Sequence, residues 1–380
     1  MDVTKWFGET SGGVRTYLLH KQAYVARRTH FRHVLVIPGA EDGVVDADGT
    51  RTYRLTGPRI PTQQPYRFLL ATRSFPRIVR HERPDLIEVG SPFLVPWLAR
   101  SAARHIGVPL VNFYHSNFPR MLAPWPDRST AARRTAAAAA WWYVRQLDKI
   151  FHTTIVASDF SARELATVGV DRTVRVPLGV DLAHFHPDRR AKRNDVRRRL
   201  GLPDASVALF VGRFAADKEL DVVVEAWAEI GRRTDATLVL AGDGPLRAAL
   251  QHQALGKRIV FLPYQHDRST LADLFAAADL YVAPSSVETF GLSALEALAC
   301  GTPLVTASRG GVAEQVERSG AGATFLSGDA RSLAEVAVQL LQRDLATLGA
   351  RGRAYAEREH AWDVVFDRIF DVYADVVKSA

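Results

Sequence analysis

Two glutamates eight residues apart, Glu288 and Glu296, bracket the run Glu288-Thr-Phe-Gly-Leu-Ser-Ala-Leu-Glu296, and around them the chain holds its densest set of chemically capable residues. A β-prone run stops at Pro284, and after Gly291 small apolar residues favour a helix that Gly301 and Pro303 end. The motif is thus a loop entering a helix. The amides of Gly291, Leu292 and Ser293 stand at the helix start without intrahelical partners, which suits a phosphate, while Glu288 suits polyol hydroxyls. Phosphate beside sugar describes a nucleotide sugar. The plainer alternative is helix-start electrostatics for Glu288 and a solvated helix face for Glu296.

Two cations belong to the same chemistry. Arg213 follows the strand-like run Val207–Val211, and Lys218 is expected to open the next helix, so both face the sheet edge that carries Glu288. Fixed cations and amide dipoles aimed at a departing diphosphate lower its barrier without a metal. Pairing of Arg213 or Lys218 with Asp217 or Glu219 is the structural alternative. Upstream, Gly12 and Gly13 sit between an expected strand over residues 2–6 and a helix from Val14, where missing side chains let backbone amides approach a diphosphate. His115 ends the buried-type strand Val108–Tyr114, the edge where ligands bind in an open α/β sheet. Asp46 and Asp48 have a metal-pair spacing but lie in Gly-rich turn chemistry with no following helix or histidine, so a turn is expected there.

The elements that must position these residues alternate strand and helix in both halves, which predicts a parallel doubly wound sheet in each. At 380 residues the chain exceeds one compact core. Two α/β domains are expected, residues 1–178 and 179–361, with a cleft between them and a linker over Leu178–Pro187. The amphipathic helix 362–377 needs a partner surface, in its own domain or on the N-terminal one. Residues 131–140 centre a long helix, and Trp141-Trp142-Tyr143 at its end reads as core, with interfacial attachment as the second option.

A 47% apolar, 24% charged composition is that of a soluble protein, and no uncharged apolar run of 18 residues exists. Cys300 stands alone and no signal segment is visible at the N-terminus, so the cytoplasm is the expected compartment. The net charge of +8 favours anionic partners such as phosphates or acidic lipids. Its densest part, residues 189–199, contains no aromatics and reads as an exposed, solvated short helix, not a nucleic-acid site.

Gly212-Arg-Phe with Lys218, Ala241-Gly-Asp-Gly-Pro245, the Glu288–Glu296 motif running on to Pro303, Gly12-Gly13 and Leu178-Gly-Val-Asp181 together resemble the group 1 retaining glycosyltransferases, in order and over nearly the whole chain. That resemblance implies two facing Rossmann-like domains, the GT-B arrangement, with an N-terminal acceptor-binding and a C-terminal donor-binding half. It implies that Arg213 and Lys218 bind the donor diphosphate, Glu288 the sugar hydroxyls, Glu296 the ribose, and His115 the sugar near its 6-hydroxyl or anomeric carbon. Gly12 and Gly13 would approach the phosphates; Gly242, Gly244, Pro263 and Tyr264 would line the base; Thr289, Phe290, Gly291, Leu292 and Ser293 would cradle sugar or phosphate.

The implied reaction moves a hexose from a GDP-mannose or UDP-glucose type donor to a lipid or glycan hydroxyl by front-face displacement. No metal and no cofactor are implied, and weak attachment to the inner face of the plasma membrane through anionic lipid is. A sugar-nucleotide epimerase is the alternative within enzymes, and a noncatalytic nucleic-acid-binding protein the alternative outside them. Tyr264-Gln265-His266 departs from the family pattern, which leaves the base open.

Overall fold

The computed structural model describes residues 1–8, 12–28, 30–61, 66–121, 130–202 and 204–380. The chain forms two compact units, residues 1–178 with 362–380, and residues 179–361.

Unit 1 runs β1 (Asp2–Val3), α1 (Gly13–Ala26), β2 (His33–Gly39), β3 (Gly43–Ala47), β4 (Thr50–Thr56), α2 (Ser74–Glu82), β5 (Ile87–Val89), α3 (Leu94–Ala103), β6 (Leu110–Tyr114), α4 (Phe118–Met121), α5 (Thr130–Asp148), β7 (Thr153–Val156), α6 (Asp159–Ala166) and β8 (Thr173–Arg175). Among the described residues its sheet has the order β3-β4-β2-β1-β5-β6-β7-β8. The opening strand is shorter than expected because side chains claim its next amides: Ser91 Oγ accepts from Lys5 N at 3.2 Å and Thr4 Oγ1 from Trp6 N at 3.0 Å.

The sheet is also not wholly parallel. The segment expected as turns forms the antiparallel pair β3/β4, closed by Asp48 and Gly49, both left-handed (φ 44° and 76°), the geometry an Asp-Gly hairpin turn adopts. Asp46 there binds Arg51 at 2.5 Å on the surface. A second departure concerns Trp142, which is 61% exposed and so lies outside the core to which it was assigned.

Unit 2 runs α7 (Arg193–Arg199), β9 (Val207–Val211), α8 (Leu220–Thr234), β10 (Thr237–Ala241), α9 (Arg247–Gln253), β11 (Ile259–Leu262), α10 (Arg268–Ala277), β12 (Leu280–Ala283), α11 (Leu292–Ala299), β13 (Leu304–Ala307), α12 (Gly311–Ser319), β14 (Gly322–Phe325), α13 (Ala330–Leu341) and α14 (Leu345–Glu359). Its parallel sheet has the order β11-β10-β9-β12-β13-β14, the doubly wound 3-2-1-4-5-6 order that reverses between β9 and β12. Apolar strands read as continuous buried runs because helices cover both faces.

The basic run over 189–199 is solvated only in part: Lys192, Arg198 and Arg199 are exposed as expected, but three of its arginines turn inward. Arg197 is buried and binds Asp279 Oδ2 at 2.6 Å and the Ala277 carbonyl, Arg193 binds Asp279 Oδ1 at 2.6 Å, and Arg190 donates to the Ala278 and Gly301 carbonyls. These arginines fasten α7 and the turn before it onto α10 and β12.

After Ala361 the chain returns to unit 1 as α15 (Trp362–Ser379), whose apolar stripe packs on α1 through Phe366 and Phe370 against Tyr24. Polar contacts reach further in. Tyr373 donates to Glu88 and accepts from Lys21 at 2.6 Å, while Lys21 lies 2.8 Å from Asp2 and 3.4 Å from Glu88. Burial pushes the Glu88 carboxyl up to about 7 against the pull of Lys21.

Candidate active site

At the switch point of unit 2, two loops leave the carboxyl ends of neighbouring strands β9 and β12 and are stitched together by side chains. Ser285 Oγ donates to the Asp217 carbonyl at 2.6 Å, and Glu219 Oε1 accepts from Ser286 N at 2.8 Å. Glu219 takes a left-handed conformation (φ 48°) that starts α8. Lys218 therefore lies in the tight turn before the helix, not at its first position, and its Nζ reaches Glu288 Oε2 at 2.5 Å and Asp217 Oδ2 at 3.5 Å. Burial works against the ammonium, but Glu288 and then Asp217 outweigh it, so its pKa is raised and the charge is kept.

Arg213 is 57% exposed and lies 3.3 Å from Asp217. Part of the structural alternative thus holds, since both cations touch Asp217, yet Lys218 also spans to the Glu288 loop. Gly242 and Gly244 brace the Arg213 loop. A Cβ on Gly242 would fall 1.9 Å from the Gly212 carbonyl oxygen, and one on Gly244 2.5 Å from that of Phe214, so close backbone approach demands both glycines.

The Glu288 loop is fixed from the far side by α12. Gly311 N donates to the Glu288 carbonyl at 2.7 Å, and Gln315 Nε2 to the Phe290 and Gly291 carbonyls at 2.6 and 3.3 Å. Gly291 is left-handed (φ 87°) at the start of α11 and packs where a Cβ would lie 2.3 Å from Val312. Gly291 supplies no side-chain cap, which leaves the amides of Leu292 and Ser293 free of intrahelical bonds. Thr289 and Phe290 are buried beneath the loop. Glu296 follows on α11, half-buried, where burial pushes its carboxyl up to about 7 with Arg268 opposing. Pro263 and Tyr264 follow β11, two strands from β9 on the same edge, with Tyr264 edge-on to His266 at 4.8 Å.

Gln315, Ser285 and Ser286 escaped sequence reasoning, and Glu219, weighed there as a partner for Arg213 or Lys218, binds Ser286 instead. Only the pair Gly310-Gly311 ahead of a helix carrying Gln315 hinted at a braced loop.

Unit 1 has its own switch point, between β1 and β5. His115 stands one strand further on, its ring stacked on Phe113 at 4.1 Å and 5.3 Å from Tyr17. Gly90 packs beside it: a Cβ there would lie 3.6 Å from His115 Cδ2 and 3.4 Å from Thr4 Cβ, ordinary contact distances. Burial, reinforced by Lys21, lowers the His115 pKa to about 3. The fold thus favours the neutral imidazole. A small cavity beside it is lined by Gly90, Ser91, His115, Ser116 and Phe118.

Gly12 precedes α1 and accepts from Thr16 N at 3.1 Å. A side chain at Gly12 would meet nothing within 4 Å, so among the described residues the fold does not itself require glycine. Residues 9–11 of the glycine loop lie outside the described residues.

Residues 205–343 match the family model for glycosyl transferases group 1, and residues 11–184 that for glycosyltransferase family 4. The chain is 32% identical, over 94% of its length and 89% of the relative's, to a GDP-mannose-dependent alpha-(1-6)-phosphatidylinositol dimannoside mannosyltransferase of Mycobacterium tuberculosis. The chain belongs to the group 1 glycosyltransferases. A second similar relative of this glycosyltransferase is the D-inositol 3-phosphate glycosyltransferase of Saccharomonospora viridis, 33% identical over 75% of the chain and 68% of the relative. In fold it matches the sucrose-phosphate synthase of Thermosynechococcus elongatus, with a TM-score of 0.78, 23% identity and coverage of 100% and 99%. These two-domain glycosyltransferase structures give the GT-B fold, and membership in the family decides for group transfer over epimerisation. No helix among the described residues is long and apolar enough to cross a membrane.

Proposed function

We propose that this glycosyltransferase moves a hexose, mannose from GDP-mannose before glucose from UDP-glucose, to a hydroxyl of a lipid acceptor with retention of anomeric configuration and without a metal. The observation that carries it is the Lys218–Glu288 pair beside the open amides of α11: a retained cation, a carboxylate and unclaimed N–H donors at one switch point. The names of the mycobacterial relatives support mannose and a phosphoinositide-type acceptor.

In the proposed step the anomeric carbon–oxygen bond to the diphosphate breaks and the acceptor oxygen bonds the same face. The acceptor proton passes to the leaving phosphate oxygen. Lys218, Arg213 and the α11 amides meet the charge that builds on the diphosphate, and Glu288 accepts hydrogen bonds from sugar hydroxyls as the ring becomes cationic. His115, being neutral, donates to a sugar oxygen. Attachment to the inner face of the plasma membrane would bring the lipid to unit 1.

The test is product analysis with GDP-mannose or UDP-glucose and phosphatidylinositol vesicles, in excess EDTA. An α-linked glycolipid formed at an undiminished rate supports the reading. A β-linked product overturns retention, and full loss with rescue by manganese overturns metal independence.

A further inference from the structure

The switch points of the two units each present a lysine, and the two are in opposite electrostatic states. Lys218 sits between two carboxylates. Lys5, which leaves the carboxyl end of β1, is 7% exposed and has no ion pair or side-chain hydrogen bond among the described residues. Its ammonium instead lies between two rings, 4.2 Å from the centroid of Trp6 and 4.6 Å from that of Phe93. Burial lowers its pKa to about 8, and no neighbouring carboxylate opposes that fall. A buried cation without an anion costs stability that an apolar side chain in the same cage would not.

Trp6 Nε1 and Asn117 Nδ2 are buried donors with no acceptor among the described residues. Asn117 adjoins Phe118, whose ring lies 5.2 Å from Phe93. Phe93 itself is a bulky residue held at φ 74°, ψ −118°, a strained backbone state for a side chain of its size. Its carbonyl is fixed by the Tyr143 hydroxyl at 2.5 Å, and the strained turn carries its ring against the ammonium. Lys5 N is tied to Ser91 Oγ, so the strand ends and the cage are built as one piece.

We propose that Lys5 is the cationic element of a phosphate-binding subsite on unit 1. The inference rests on the proposed function for the identity of its ligand, because both reactants of that reaction contain phosphate. The anion is the phosphodiester of the acceptor or the diphosphate of the donor, and the two are told apart by experiment.

The full chain and its Lys5→Met and Lys5→Arg variants are titrated calorimetrically with glycerol 1-phosphate in saturating GDP, with glycerol as the uncharged control, and separately with GDP alone. Lys5→Met is expected to weaken glycerol 1-phosphate binding about 10-fold or more, the scale of one charged hydrogen bond, and Lys5→Arg to restore most of it. Unchanged GDP affinity assigns the site to the acceptor; a 10-fold loss of GDP affinity with glycerol 1-phosphate untouched assigns it to the donor. Equal behaviour of wild type and Lys5→Met toward both ligands overturns the proposal. Should Lys5→Met fail to fold, wild-type Lys5 followed by NMR of the 13C-methylated amine must show its pKa rise from about 8 when glycerol 1-phosphate is added. A pKa that stays put overturns the proposal as well. Absence of sugar transfer with phosphate binding intact defeats the proposed function alone, and transfer without any role for Lys5 defeats this inference alone.

Discussion

Lys218 Nζ lies 2.5 Å from Glu288 Oε2, so the cation and the carboxylate of the unit 2 switch point hold each other in place across two loops. An interaction that tightens only at the transition state appears in kcat, whereas one made equally throughout appears in KM. Glu288→Gln is expected to lower kcat about 10²-fold or more while GDP binds no more weakly than before, since Lys218 is released toward phosphate. Lys218→Met should weaken GDP binding. Steady-state kinetics with calorimetry check both, and identical profiles for the two variants would refute the division of roles.

Glu296 carries a pH signature. Its folded pKa of about 7 lies above the ordinary 4.5, so the folded state binds the extra proton between those values and stability falls as pH rises through that window. The penalty is absent below about pH 4 and complete above about pH 7, with an upper bound of about 3 kcal/mol. Glu296→Gln should thus raise Tm at pH 8 and leave it unchanged near pH 4, while weakening GDP binding at pH 8 by about 1.5–3 kcal/mol. Thermal melts at the two pH values decide; an equal Tm shift at both would discount the buried ionisation.

Arg197 is predicted to be structural. Removing it leaves Asp279 buried near a single remaining arginine, and breaking such a pair costs about 3–5 kcal/mol. Arg197→Met should lower the unfolding free energy read from urea titration by that amount, whereas Arg198→Met, whose partner Asp195 is exposed, should change it by less than about 0.5 kcal/mol. Similar values for the two would return the basic run to the solvent.

Membrane attachment would run through the exposed aromatics of unit 1. Trp142 at 61%, Leu94 at 53% and Trp97 at 39% exposure have Arg100 and Arg145 beside them in sequence, and each basic residue near an anionic surface contributes about 1 kcal/mol. Sedimentation with phosphatidylserine vesicles should show salt-sensitive binding that Trp142→Ala reduces several-fold. Equal partitioning to neutral and anionic vesicles would refute the electrostatic part.

The readable parts of the chain were those whose chemistry is local. Strands β9 to β12 fall where apolar runs end at Gly or Pro, and α11 starts where Gly291 can take a left-handed conformation. Ser158 caps α6 by accepting from Ser161 N, a role that suits a serine at that position. The hairpin β3/β4 was half legible: Asp48-Gly49 signalled a turn, but β3, a five-residue edge strand exposed throughout, shows no apolar alternation to reveal it.

From its residues alone the chain determined two doubly wound halves, the Glu288 loop feeding α11, and the presence of Arg213 and Lys218 on the same sheet edge, because each follows from propensities and spacings within about ten residues. Only the tertiary structure decided which charges are partners. Arg197 finds Asp279 across 82 residues, Lys218 finds Glu288 across 70, and Lys5 finds two aromatic rings in place of an anion. Burial and pairing depend on what strand order brings together, and a one-dimensional pattern holds no record of the low-dielectric neighbourhood in which a charge is paired with another or set among rings.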